Sequence, residues 1–271
     1  MTSTLDYLAP SSRADLLGVL ADRGTDAKLL AGGTDLLVDL RHHLVEPAFI
    51  VNLKKVSGYS EITFSHETGL KIGAAVTIND VLRSELIQEY YPLLVAAAHD
   101  LASYQIRNRA TVVGNVVNAS PCSDMAPALL CLGGRAVISS QRGERVVAFD
   151  DFFKGVKRTV LAPDEILETI VVPPESAGGR GGYRKLKRIK GHDLGIVGVA
   201  VFKRDGVLRV GVSSCAPTPI LVDGLSETDA VEDVVAAVRR AISPISDLRC
   251  SKEYREHMVE VFTRRLLQEV N

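Results

Sequence analysis

The stretch ATVVGNVVNASPCSD, residues 110–124, decides how the rest of the chain is interpreted. Its residues 111–113 are a threonine and two valines, and three β-branched residues in a row predict a short strand. Gly114 and Asn115 follow, and these residue types tolerate backbone angles that most side chains exclude. A buried strand that runs into such a turn is typical of a loop whose backbone presses against a ligand.

The second half of the stretch crowds short polar side chains into an irregular backbone: Asn118, Ser120 and Asp124. Residues 125–132 then form an apolar run, which predicts a helix that stops at the two glycines 133–134. The plainer alternative is a strand–turn–helix in which Ser123 or Asp124 only caps the helix. This stretch alone leaves both interpretations open.

The composition is that of an ordinary globular chain. It has 271 residues, 46% of them apolar and 24% charged, which is enough to bury a large core or to divide it between subdomains. A formal net charge of −1 argues against a general nucleic-acid or membrane-surface role, which needs a dominant basic field. We find no secretory signal and no apolar run long enough to span a membrane, so the cytoplasm is the expected location.

The cysteines predict no metal site. They are Cys122, Cys131, Cys215 and Cys250, with no CxxC pair and with spacings that match neither a zinc site nor an iron–sulfur run. The histidines assemble no ligand set either. We therefore expect buried or incidental thiols.

The first 56 residues predict a small unit with a parallel pair of strands. A strand at 27–30, a helix from Leu36 and a strand at 48–53 follow one another. The turn AGGTD, residues 31–35, enters that helix, and its freed N–H groups would suit an anion. It completes neither a dinucleotide GxGxxG fingerprint nor a triphosphate loop, and a structural turn with Thr34 or Asp35 as the cap is the commoner explanation.

The rest of the chain predicts a second α/β part and then a part made of a sheet and helices. Up to residue 174 the pattern predicts the hairpin 61–76, the helices 77–86 and 92–102, two strands within 135–149 and a strand at 164–172. The segment PPESAGGRGG, residues 173–182, predicts an irregular linker. Beyond it the pattern predicts strands at 183–189, 195–203 and 207–212, a hairpin turn at 205–206, and a helical tail from 228. The expected domains are 1–56, 57–174 and 175–271.

A run of cations follows the predicted linker: Arg180, Arg184, Lys185, Lys187, Arg188 and Lys190. Such a run is usually the solvated face of a strand. It is also able to bring one lysine to a phosphate or carbonyl oxygen.

Several motifs, in one order along the chain, carry a family resemblance. They are AGGTDLL at 31–37, TVVGNVVNASPCSDMAPALL at 111–130, RTVLAPDEIL at 158–167, APTP at 216–219 and DLRCSKEYREHM at 247–258. Their combination resembles the flavin-binding subunit of molybdenum-containing hydroxylases, the xanthine dehydrogenase and carbon monoxide dehydrogenase family. The resemblance covers almost the whole chain.

This resemblance implies a fold and a cofactor. The fold class is α/β (α+β): a two-part FAD-binding α/β domain, which clamps one FAD, is followed by a C-terminal domain of antiparallel sheet plus helices. By resemblance, the cofactor-binding residues are Leu29, Leu30, Ala31, Gly32, Gly33, Thr34, Asp35, Leu36, Thr111, Gly114, Asn115, Asn118, Asp124, Leu167 and Lys185. Within this set the amides of Gly32 and Gly33 would face the pyrophosphate, and Asp124 would accept hydrogen bonds from the ribityl chain. No catalytic residue and no metal ligand is implied.

The chain departs from the family pattern at Val113, where the second loop usually carries a glycine. Valine would be strained if that position required positive φ. We expect instead that Val113 lies in ordinary β space, as the end of the strand, and that Gly114 and Asn115 supply the unusual backbone.

The function that the resemblance implies is electron transfer as one subunit of an oxidoreductase. A small iron–sulfur subunit and a large molybdopterin subunit would be the partners, and FAD would pass electrons to an external acceptor. Two alternatives stay open. One is a self-sufficient FAD-dependent oxidoreductase of the same superfamily, and the other is a scaffold that has lost FAD.

Overall fold

The computed structural model describes residues 5–189, 191 and 193–270, so Lys190 of the cation run lies outside the described residues. The strands, in chain order, are β1 (Asp6–Leu8), β2 (Ala27–Leu30), β3 (Phe49–Asn52), β4 (Ile62–Ser65), β5 (Gly69–Gly73), β6 (Arg135–Ser140), β7 (Gly143–Ala148), β8 (Phe153–Gly155), β9 (Arg158–Thr159), β10 (Ile166–Val172), β11 (Arg180–Leu186), β12 (Val197–Arg204), β13 (Val207–Ser213) and β14 (Ile220–Ser226).

The helices are distributed between these strands. In chain order they are α1 (Arg13–Arg23), α2 (Leu36–Arg41), α3 (Ile78–Arg83), α4 (Glu85–Tyr90), α5 (Pro92–Asp100), α6 (Tyr104–Arg107), α7 (Val112–Val117), α8 (Met125–Cys131), α9 (Phe149–Phe152), α10 (Val231–Ala241) and α11 (Lys252–Glu269), with short 3-10 helices at Leu53–Lys55 and Pro174–Ser176.

The N-terminal sheet has the order β1-β3-β2 and is parallel throughout. The predicted strand–helix–strand order and the parallel pair are confirmed in β2, α2 and β3. Strand β1 was not predicted, because its three residues are too few to show a period. Helix α1 crosses between β1 and β2, and Ser12 caps it by accepting a hydrogen bond from the Asp15 N–H at 3.1 Å.

The middle sheet is antiparallel, with the order β4-β5-β10-β6-β7. The predicted hairpin 61–76 is confirmed as β4–β5, and the two strands predicted within 135–149 are confirmed as the antiparallel pair β6–β7. Helix α3 begins at a capping box, since the Thr77 hydroxyl accepts from the Asp80 N–H while the Asp80 carboxylate accepts from the Thr77 N–H. The predicted helix 77–86 divides at Ser84, which caps α4.

The prediction of a strand at 111–113 is wrong. Residues 112–117 form helix α7, with Thr111 as its N-cap, and the Gly114 N–H donates to the Thr111 hydroxyl at 2.9 Å. The β-branched pattern fits both structures, and burial decides between them, because Val112 and Val113 are 0% and 4% exposed on the buried side of this helix. Helix α8 and its stop at the two glycines are confirmed.

The unusual backbone also lies elsewhere than predicted. Val113 is helical rather than in β space, and it has no positive φ. Gly114 and Asn115 belong to the same helix, so they do not supply a left-handed turn. The residue with positive φ is instead Ala119, which follows the helix and has φ 45°.

A single substitution distinguishes the helix cap from the predicted strand. In a strand, valine is at least as favourable as threonine, whereas at an N-cap it loses the side-chain acceptor. We therefore expect Thr111→Val to lower the free energy of unfolding by about 1 kcal/mol. Urea denaturation of the flavin-free chain measures this, and an unchanged or raised midpoint would contradict the helix.

The C-terminal sheet is antiparallel, with the order β11-β12-β13-β14. The predicted turn at Asp205-Gly206 is confirmed: both residues have positive φ, 51° and 82°, as a two-residue hairpin turn between β12 and β13 requires. Strand β14 was not predicted. The helical tail is confirmed as α10 and α11, separated by the irregular segment that contains Pro244.

The predicted linker at 173–182 is only partly irregular. Pro174–Ser176 form a 3-10 helix, and β11 begins at Arg180. Glycines 181 and 182 lie within β11 because helices pack closely on both faces of the strand. A Cβ on Gly181 would lie 3.1 Å from Leu93 of α5, and one on Gly182 would lie 2.8 Å from Leu266 of α11.

Two apolar cores result. The larger joins the N-terminal and middle parts and reaches one face of the C-terminal sheet through Tyr183, Ala200 and Phe202. The smaller lies between the other face of that sheet and helices α10 and α11. The predicted α/β (α+β) class, with an antiparallel sheet and helices at the C-terminal end, is confirmed.

Candidate functional site

A pocket of about 450 Å³ lies where the turn after β2 meets the segment before α7. Its lining comes from both places and from three further segments: Tyr7, Leu30, Ala31, Gly32, Gly33, Thr34, Leu37, Lys54, Ala75, Thr77, Asn108, Arg109 and Thr111. The two loops singled out in the sequence are therefore neighbours in space.

The two loops touch through their main chains at Gly32. A Cβ on this residue would lie 2.0 Å from the Arg109 carbonyl oxygen, so only glycine fits. Gly33 next to it has φ 78°, a left-handed conformation that favours glycine. An antiparallel bridge between Thr77 and Thr111 fixes the second loop below the pocket.

The turn leaves main-chain donors unused. Among the residues that the structure describes, the N–H groups of Gly32, Gly33 and Thr34 have no hydrogen-bond partner, although the Gly33 carbonyl accepts from the Leu37 N–H at 3.1 Å. Asp35 occupies the N-cap position of α2, but its carboxylate makes no capping bond. These N–H groups are thus free to bind acceptors of a ligand.

The Asp35 carboxylate instead connects the two loops. It accepts a hydrogen bond from the Asn118 amide at 3.0 Å, and the Asn118 carbonyl accepts from the Lys157 ammonium at 2.6 Å. Asn118 is therefore a link across the site.

Asn115 holds the turn between α7 and α8. Its side-chain carbonyl accepts from the Ser123 hydroxyl at 2.6 Å and from the Met125 N–H at 3.2 Å. Ser123 in turn accepts from the Ala126 N–H at 3.3 Å, so the capping side chain of α8 is Ser123 and not Asp124.

The Asp124 carboxylate is part of a buried cluster of polar groups. Asp124 is 7% exposed, and it accepts hydrogen bonds from the Lys185 ammonium at 2.9 Å and from the Tyr183 hydroxyl at 3.1 Å. The Lys185 ammonium also donates to the Asp100 carbonyl at 3.4 Å. The cluster joins the start of α8 to strand β11 of the C-terminal sheet.

Burial acts on the protonation of this cluster. It raises the pKa of Asp124, and the Lys185 ammonium and the Tyr183 hydroxyl oppose that rise. Burial and the neighbouring Asp124 carboxylate also raise the pKa of Tyr183 well above its ordinary value. The Tyr183 hydroxyl is therefore a hydrogen-bond donor at neutral pH.

The predicted cofactor residues occupy several places. Those that line the pocket are Leu30, Ala31, Gly32, Gly33, Thr34 and Thr111. Leu29, Asp35 and Leu36 lie in the elements beside it. Leu167 is 1% exposed in the larger core, and Lys185 is buried against Asp124, so neither lines this pocket. Three further residues that line the pocket were not predicted: Tyr7, Lys54 and Arg109. Only the tertiary fold brings Tyr7 and Lys54 here, whereas Arg109 directly precedes the second loop.

Two family models together match nearly the whole chain. The first, "FAD binding domain in molybdopterin dehydrogenase", matches residues 3–175. The second, "CO dehydrogenase flavoprotein C-terminal domain", matches residues 181–270. The chain belongs to the FAD-binding subunits of the molybdenum hydroxylase family. It is accordingly a subunit of an oxidoreductase, and the predicted cofactor, FAD, is confirmed.

Relatives of this FAD-binding subunit have similar lengths. The chain is 32% identical to the xanthine dehydrogenase FAD-binding subunit of Escherichia coli O157:H7, over 97% of this chain and 94% of that one. It is 31% identical to the carbon monoxide dehydrogenase medium chain of Hydrogenophaga pseudoflava, over 97% and 95%. Its fold matches a chain in the structure of reconstituted CO dehydrogenase from Oligotropha carboxidovorans with a TM-score of 0.92 and 30% identity, over 100% and 98%.

The residues present fit an FAD. Free N–H groups at 32–34 suit a diphosphate, which carries acceptors only. A buried carboxylate suits the hydroxyls of a polyol chain. Gly32 allows the main chains of the two loops to approach each other at the pocket more closely than any other residue would permit.

Two other kinds of feature are absent from the described residues. The part of the chain that the structure describes contains no cluster of three or more His, Cys, Asp or Glu side chains able to hold a metal ion. None of its described helices is long and apolar enough to cross a membrane.

Proposed function

We propose that this FAD-binding subunit passes electrons from the iron–sulfur clusters of a partner chain, through one FAD, to an external acceptor. The observation that carries the proposal is the meeting of the two loops at Gly32, beside a pocket lined by residues 32–34, whose N–H groups have no hydrogen-bond partner among the described residues. When bound, FAD supplies a junction between one-electron and two-electron transfer.

The chain's own residues would bind and orient the cofactor. The N–H groups of Gly32, Gly33 and Thr34 would donate to the diphosphate, and Thr111 would line the opposite wall. The Asp35–Asn118 hydrogen bond would hold the two loops at a fixed separation, with Asn115 fixing the turn behind them.

The polyol end of the cofactor would meet the buried cluster. Asp124 would accept hydrogen bonds from ribityl hydroxyls through the lone pairs that Tyr183 and Lys185 leave free. Lys185 would orient that carboxylate and oppose the rise in its pKa that burial causes.

The partners would be a small iron–sulfur subunit and a large molybdopterin subunit, and the complex would lie in the cytoplasm. Support comes from the relatives, which are named as subunits or medium chains and are matched from end to end. We also propose the division into 1–56, 57–174 and 175–271, which follows the order of the three larger sheets.

Purification of the tagged full chain from its native cells tests this proposal. We expect it to bring down two further chains, one with iron–sulfur absorbance and one with molybdenum, together with flavin. A flavin-containing chain without these partners would favour the self-sufficient oxidoreductase, and a chain with partners but no flavin would favour the scaffold.

A test for substrate oxidation distinguishes an electron-transfer subunit from a self-sufficient oxidoreductase. The isolated chain is expected to show no substrate-dependent bleaching of its flavin with purines, aldehydes or aromatic heterocycles, because the hydroxylation belongs to the partner. Anaerobic flavin spectra with each substrate measure this. Bleaching without any partner chain would overturn the proposed division of labour.

A further inference from the structure

Two cationic side chains, Lys54 and Arg109, line the same pocket. Lys54 belongs to the 3-10 helix after β3, and Arg109 immediately precedes the second loop. Both are exposed. The first loop brings the two segments to one place, because Gly32 lies against the Arg109 carbonyl and Ala31 accepts a hydrogen bond from Lys54.

Lys54 is fixed against the first loop. Its ammonium donates to the Ala31 carbonyl at 2.9 Å, directly before the free N–H groups of residues 32–34. An ammonium has three donors, so two remain for a ligand. The Lys54 ammonium therefore lies beside the loop residues whose free N–H groups would bind an anion.

Arg109 has no partner of its own. Its guanidinium makes no hydrogen bond or ion pair with any residue in the described part of the chain. A guanidinium presents a planar set of donors that matches a phosphate in two-point contact. The side chain is thus available at the rim of the pocket.

The pocket offers these cations no counter-charge. Its lining contains no aspartate or glutamate. Burial and the nearby Arg109 cation lower the pKa of Lys54, as expected for like charges held close together. Two neighbouring cations beside free N–H groups suit a ligand with more than one negative charge.

We propose that Lys54 and Arg109 clamp the diphosphate of FAD, and so make this chain select a dinucleotide rather than a ligand without the diphosphate. The inference rests on the proposed function. It adds side-chain charge to a site in which the loop itself supplies only neutral N–H groups, and it predicts that binding weakens as salt screens the pair.

Titrations of the flavin-free full chain test the clamp, with FAD, ADP and adenosine as ligands. Lys54→Met and Arg109→Met should each weaken FAD and ADP binding by about tenfold at low salt and leave adenosine binding unchanged. The conservative variants Lys54→Arg and Arg109→Lys should restore most of the affinity. Matched controls are Lys55→Met and Arg240→Met, exposed cations outside the pocket lining.

The outcomes separate the clamp from the proposed function. If the wild-type chain takes up no FAD, the proposed function fails. If it binds FAD and both methionine variants bind FAD and ADP as tightly as the controls, the clamp alone is wrong. An equal loss for adenosine would also overturn the clamp, because a ligand without phosphate cannot report on these charges.

Discussion

Replacing Gly32 with alanine is expected to abolish FAD binding at the concentrations that saturate the wild-type chain. The new Cβ would lie 2.0 Å from the Arg109 carbonyl oxygen, and both partners are main chain, so neither yields without moving a loop. Forcing the two loops apart costs about 3 kcal/mol, which corresponds to about a hundredfold in affinity when it falls on the bound state. Flavin fluorescence during titration with FAD measures the loss.

Gly18 provides the matched control. It lies within α1, and an added Cβ would be 3.6 Å from the Gln141 side chain, an ordinary contact. We expect Gly18→Ala to keep full FAD binding and to stabilise the chain by up to about 1 kcal/mol. Unchanged FAD affinity in Gly32→Ala would show that the two loops do not form the pocket as described.

Removing one member of the buried ion pair is expected to destabilise the chain strongly. The side chains of Lys185 and Asp124 are 2% and 10% exposed, so Lys185→Met leaves a buried carboxylate with only the Tyr183 hydroxyl as its partner. The free energy of unfolding should fall by about 3–5 kcal/mol. Thermal and urea denaturation of the flavin-free chain measure it.

The double variant separates the structural role of the pair from the cofactor role of Asp124. Asp124→Asn combined with Lys185→Met removes both charges, so much of the lost stability should return. The FAD affinity of the double variant should stay below that of the wild-type chain, because an amide replaces the carboxylate proposed to accept hydrogen bonds from ribityl hydroxyls. Full recovery of both stability and affinity would show that Asp124 is structural only.

Local signals account for the parts of the fold that the sequence predicted well. The Asp205-Gly206 turn requires two residues at positive φ, a conformation that this dipeptide favours from its local sequence alone. Strands β2 and β3 and the cap of α8 are marked by neighbouring residues in the same way. These features can be predicted from local sequence, without the rest of the chain.

Tertiary packing explains the parts that were predicted wrongly. Residues 111–113 have a strand-like composition, yet they cap and begin α7, because this helix buries Val112 and Val113 in the larger core. Gly181 and Gly182 suggested a linker, yet they belong to β11, where α5 and α11 leave no room for side chains. In both places the deciding contacts come from residues distant in the chain.

The candidate site likewise contains residues that local motifs predict and residues that only the tertiary structure reveals. The glycines at 32–33 and Thr111 could be predicted because they form motifs in the sequence. Lys54 and Arg109 could not, since each stands among other cations without any pattern of its own. Arg109 carried one weak signal, its position directly before the second loop.

The most direct test of the account is the flavin content of the purified full chain. Acid precipitation should release one FAD per chain into the supernatant, identified by chromatography, and leave the pellet without flavin. A chain that never carries flavin, or flavin that stays with the precipitated protein, would contradict the claim that this subunit works through one non-covalently bound FAD.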